Sequence, residues 1–176
     1  SRATPDASPS HSAPIDAVKS FYDGIFDGNI EQVKSALVMN DKVEEYLLAN
    51  VNLVKAMNKF AKADREYFGE GGFPNNQMKD SMADKLANIK TTVIDENHAE
   101  CSLGSPAPIK LVRSSLGWKI DFTQPESKQF LELAPKVFGN AANVFDKVRE
   151  GILTGTISSR ADCRKELGRL KRKQNL

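Results

Sequence analysis

The chain has 176 residues, 40% of them hydrophobic and 27% charged, a composition that excludes a disordered polymer and suffices for a real core. Its formal net charge is only +2, which excludes a polyanion binder driven by overall charge. No run of about 18 apolar residues occurs, so no apolar helix crosses a membrane.

The charge is unevenly spread. Seven basic and two acidic residues between Arg160 and Leu176 put that stretch at +5, which leaves −3 for the rest of a +2 chain.

Residues 1–13 are nearly all Ser, Ala, Pro, Thr, Asp and His, too poor in apolar surface to offset ordering entropy, and are expected to be a flexible tail. Such a tail often follows a removed signal segment, so export to the periplasm or outside the cell is expected.

Pro14 to Asp27 has helical periodicity. Ile15, Val18, Tyr22, Ile25 and Phe26 form one apolar stripe, Ser12 is the expected cap, and Pro14 suits a first turn. Gly28 ends it, and a short helix with Ile30, Val33 and Leu37 inward follows. The longest helix is expected from Asp41 to Phe68, with Asp41 and Glu44 as a capping box. Its buried side is read as Val43, Tyr46, Leu47, Leu53, Val54, Met57, Phe60 and Ala61. Gly69 to Asn76 breaks it as a loop, and a short helical stretch over Gln77 to Leu86 comes next.

The strands follow. Ile89, Thr91 and Val93 alternate with polar residues, as do Ala99, Cys101 and Leu103, then Ile109 and Leu111, then Trp118, Ile120 and Phe122. Turn chemistry at 95–97, 104–108 and 114–117 predicts an antiparallel meander with one apolar face. Alternation sets Asp121 on the opposite face, as a solvated carboxylate, and assigns Lys110 and Arg113 to the outer side. After Gln124 a helical stripe runs through Ala134, Val137, Phe138, Ala141, Val144, Phe145, Val148 and Ile152, with Pro135 starting or kinking it. A last helix starts near Ser159, with Asp162 at the reciprocal capping position and Cys163, Leu167 and Leu170 along one face.

The expected fold is therefore α+β: N-terminal helices on a curved antiparallel sheet of about four strands, then C-terminal helices. The chain divides into the tail, an α+β domain over 14–123, and a helical extension with a basic end over 124–176.

Two phrases carry a family likeness. Ala17-Val-Lys-Ser-Phe-Tyr-Asp-Gly-Ile-Phe-Asp-Gly-Asn29 and Leu111-Val-Arg-Ser-Ser-Leu-Gly-Trp-Lys-Ile-Asp121 resemble the first helix and final hairpin of the nuclear-transport-factor-2-like superfamily. The resemblance implies a cone-shaped sheet around the opening helices, a pocket between them, and a homodimer through the exposed sheet face. It implies no single activity, because members include isomerases and dehydratases as well as binding domains.

Candidate residues follow from chemistry. Tyr22, Tyr46, Tyr67 and Trp118 have the apolar bodies and polar tips of pocket walls, and equally suit ordinary core. Cys101 and Cys163 both lie on apolar stripes, either as buried thiols or as a bridge. Arg169, Lys171, Arg172 and Lys173 form a basic patch, which equally suits the negative end of a helix dipole. His98 lies near Asp95, Glu96 and Glu100 but matches no metal-ligand spacing, and is read as a polar turn. No catalytic pair, metal or cofactor is expected. The expected function is a noncatalytic domain binding a small molecule or protein, probed against two alternatives: a small isomerase- or dehydratase-type enzyme, and an anionic-surface or nucleic-acid binder using the basic end. Nucleic acid is disfavoured because no aromatic residues interleave the bases.

Overall fold

A computed structural model describes residues 11–73, 77–104 and 107–175, residue 77 by its backbone alone. The tail expectation for residues 1–10 and parts of the loops at 69–76 and 104–108 lie outside these residues.

The architecture is α+β. The order is α1 (Pro14–Asp27), α2 (Ile30–Ser35), α3 (Asp41–Phe68), α4 (Gln77–Ala87), β1 (Lys90–Val93), β2 (His98–Ser102), β3 (Ile109–Ser114), β4 (Gly117–Ile120), a 3-10 turn (Pro125–Ser127), α5 (Lys128–Leu153) and α6 (Arg160–Lys173).

Contacts group the chain into two compact units that do not follow the linear division at 123/124. One comprises residues up to Glu44 with Lys79–Lys128; the other comprises Glu45–Met78 with Gln129–Leu176. A boundary inside α3 is invisible to composition, because the helix continues through it.

In the first unit the sheet is the expected meander, β1-β2-β3-β4, antiparallel throughout. Helix α1 lies across β2 and β4 and buries Ala17, Val18, Phe21 and Ile25. Its start is not capped by Ser12. Asp16 reaches back instead, accepting from the Ala13 N–H at 3.0 Å and the Ser12 hydroxyl at 3.2 Å. The cap of α3 also shifts by one residue, because Asn40 Oδ1 accepts the Val43 N–H at 2.9 Å. Asp41 thus falls inside the first turn, and Glu44 pairs with Lys34 at 2.7 Å rather than closing a box.

Strand β1 is exposed at every residue, against the expected half-burial of Thr91 and Val93. It is an edge strand, and α1 covers β2 and β4. The other edge is closed. The Trp118 N–H donates to the His11 carbonyl at 2.9 Å, the Ile120 N–H to the Ala36 carbonyl at 2.8 Å, and the Val38 N–H to the Ile120 carbonyl at 2.9 Å. Gly117, at φ 96°, lies so close to the His11 backbone that a Cβ would overlap it. Register also corrects Arg113: it pairs with Trp118 and shares the face of Leu111, not that of Lys110.

In the second unit Phe60 of α3 packs with Phe145, Val148 and Ile152 of α5 and with Cys163 and Leu170 of α6. Pro135 lies within α5 and does not start it, so the Leu131 carbonyl lacks its usual helical donor. Ser159 caps α6 as expected, its Oγ accepting the Asp162 N–H at 3.1 Å.

Candidate functional site

A broad concavity lies in the second unit, along α5 and α6. Apolar spacing sets it up. Cys163, Leu167 and Leu170 turn one side of α6 into the core. That leaves Asp162, Lys165, Glu166, Arg169 and Arg172, three or four residues apart, along another side. They line a groove of about 790 Å³ with Lys147, Glu150, Gly151 and Thr154 of α5 and with Thr156 and Ile157 of the turn.

Charge in the groove is partly consumed. Arg169 donates two bonds to Glu166, at 2.8 and 2.6 Å, which hold the Glu166 carboxyl below its ordinary pKa. Asp162 accepts the Ser159 hydroxyl at 2.8 Å. Lys147, Lys165, Arg172 and Glu150 are the other charged residues lining this solvent-open surface. Only half of the basic patch gathers here. Arg169 and Arg172 line the groove, but Lys171 sits over the Phe145 ring at 6.0 Å, about 200° around the helix from Arg169. Lys173 is exposed and does not line it.

The same unit holds a charged staple that sequence reasoning missed. Asp64 is 1% exposed. Arg160 Nε donates to both its oxygens at 3.2 Å, and the Phe73 N–H donates to it at 3.1 Å. The same guanidinium bonds the Gly69 carbonyl at 2.5 Å and the Glu70 carbonyl at 3.2 Å. Gly72 passes so close to the carboxylate that a Cβ would overlap it. The one available signal was an Asp amid the apolar run Phe60, Ala61, Ala63; its partner lies 96 residues away.

The four aromatic candidates have separate roles. Tyr22 lines a groove of about 250 Å³ in the first unit with Phe26, Met82 and Leu86, and burial pushes its hydroxyl pKa up. Trp118 is buried on β4 and does not line that groove. In the second unit Tyr46 packs edge-on to Phe130, with ring centroids 5.1 Å apart, and lies 6.0 Å from the Phe138 centroid. Tyr67 is exposed.

Asp121, expected in solvent, is buried. It accepts from the Thr123 N–H (2.8 Å), the Thr123 hydroxyl (2.6 Å) and Gln124 Nε2 (2.5 Å). Burial pushes its pKa up, but these bonds outweigh burial and hold it below the ordinary value. His98 is exposed and bonds Asp95 at 2.9 Å. Among the described residues no group of three or more His, Cys, Asp or Glu side chains is placed to hold a metal. Cys101 and Cys163, one in each unit, are buried free thiols. Burial raises the pKa of both, which keeps them protonated.

Comparison with known protein families, with characterised proteins and with solved structures finds no match to this chain.

Proposed function

We propose that this chain is a noncatalytic interaction domain that takes an acidic segment of a partner protein in the α5–α6 groove. The charge arrangement of that groove carries the reading. Four of its seven charged lining residues are basic, and two of its three carboxylates are engaged by Arg169 and Ser159. A carboxylate-bearing segment would meet Lys147, Lys165 and Arg172 at a shallow, solvent-open site, where complementary charge mainly sets recognition and association rate.

The buried carboxylates support a binding role over acid–base chemistry. Asp64 is tied to Arg160, and Asp121 is ionised and bonded to Thr123 and Gln124, so both serve the fold. Nucleic acid fits less well, because no aromatic side chain lines the groove to stack a base. The nuclear-transport-factor-2-like likeness of residues 14–122 belongs to the same proposal; the packing of α1 across an antiparallel meander supports it.

The test is fluorescence anisotropy with a labelled glutamate-rich peptide, beside a single-stranded oligonucleotide of equal charge. Binding should be salt-sensitive and weaken about tenfold or more in a Lys165→Glu/Arg172→Glu variant. No peptide binding at low salt, equal binding by the variant, or preference for the oligonucleotide would refute the acidic-segment reading.

A further inference from the structure

The two edges of the sheet are treated differently. On β4 the outward Trp118 N–H, Ile120 N–H and Ile120 C=O each have a backbone partner. Strand β1 has none on its outer side among the described residues.

Register identifies which groups are open. The Ile94 N–H donates to the His98 carbonyl at 2.9 Å, so 94 and 98 form a hydrogen-bonded pair. The pairs alternate along an antiparallel ladder, so Thr92 and Lys90 also bond inward, to Glu100 and Ser102. Thr91 and Val93 therefore point both their N–H and C=O groups away from the sheet. The apolar side chains at this edge are exposed too, Val93 at 62% and Ile94 at 58%.

We infer that β1 pairs edge to edge with β1 of a second copy of this chain, antiparallel and centred on Thr92. The open groups are symmetric about that residue. A two-fold axis there bonds Thr91 to Val93 of the second copy and Val93 to its Thr91, satisfying all four outward groups on each side. Side chains agree with the register. Thr92 faces Thr92, Thr91 faces Val93, and Lys90 lies opposite Ile94, where its stem covers apolar surface and no like charges meet. The closed β4 edge stops the assembly at two copies, joining two sheets into one. A four-residue edge buries little, so the dimer is weak and appears only at high protein concentration.

Sedimentation velocity from low to several hundred micromolar protein tests this. The intact chain should pass from monomer to dimer. Val93→Pro removes an outward N–H without losing a ladder bond inside the sheet, and should weaken dimerisation about tenfold or more. Thr92→Lys, at an exposed side chain, places two ammonium groups together on the axis and should do the same; it decides the matter if the proline variant unfolds. A chain that stays monomeric throughout, or a dimer unaffected by Thr92→Lys, overturns the inference.

Discussion

Removing the Asp64 carboxylate leaves the Arg160 guanidinium with only carbonyl partners and the half-buried Phe73 N–H without this acceptor. Asp64→Ala should therefore cost about 2–4 kcal/mol, less than a fully buried pair because Arg160 is partly exposed. Urea unfolding followed by circular dichroism measures it, and an unchanged midpoint would show that the staple contributes nothing. His11 adds a pH dependence. The residue is 5% exposed and its Nε2 has no partner among the described residues. Burial lowers its pKa below 6.5; nearby Asp16 opposes this and Lys119 adds to it. A base with a lowered folded pKa contributes stability that is fully present above its unfolded value. That stability is lost as pH falls through about 6.5 toward the folded pKa. The melting temperature should drop between pH 7 and 5, and His11→Gln should flatten that drop. Identical pH profiles for the two proteins would contradict this assignment.

At the scale of the elements, the cap of α3 and the two sheet edges give separate tests. Asn40→Ala should destabilise by about 1 kcal/mol and Asp41→Ala by clearly less, because Asn40 holds the Val43 N–H. Hydrogen exchange in dilute protein should find the Thr91 and Val93 amides fast and the Trp118 and Ile120 amides protected; equal protection would mean that β1 is covered. Helix and strand positions were legible because apolar periodicity switches from 3.6 to 2 at Ile89. Caps were less so, since Asn40 and Asp41 are adjacent and both suited to the role. Alternation could not show that Thr91 and Val93 sit at an uncovered edge, because which strands a helix covers is decided by tertiary packing. It also misassigned Asp121, since period two says which face a residue takes and not whether Thr123 and Gln124 fold back over it.

At the scale of the whole chain, the basic end was legible only as composition. Seven bases between residues 160 and 176 show a charge excess, but helix geometry divides them: Arg169 and Arg172 to the groove, Lys171 to Phe145, Arg160 to Asp64. The contribution of α5 to the same groove could not be read from the sequence, because Lys147 and Glu150 become its neighbours only through packing of Val148 and Ile152 against α6. The central claim is that this groove receives an acidic partner segment, and backbone amide chemical-shift mapping tests it most directly. On titration with a glutamate-rich peptide, shifts should concentrate at Lys147, Lys165, Arg169 and Arg172 and disappear with added salt. Shifts confined to the Tyr22 groove or scattered over the surface, or none at all, would contradict it.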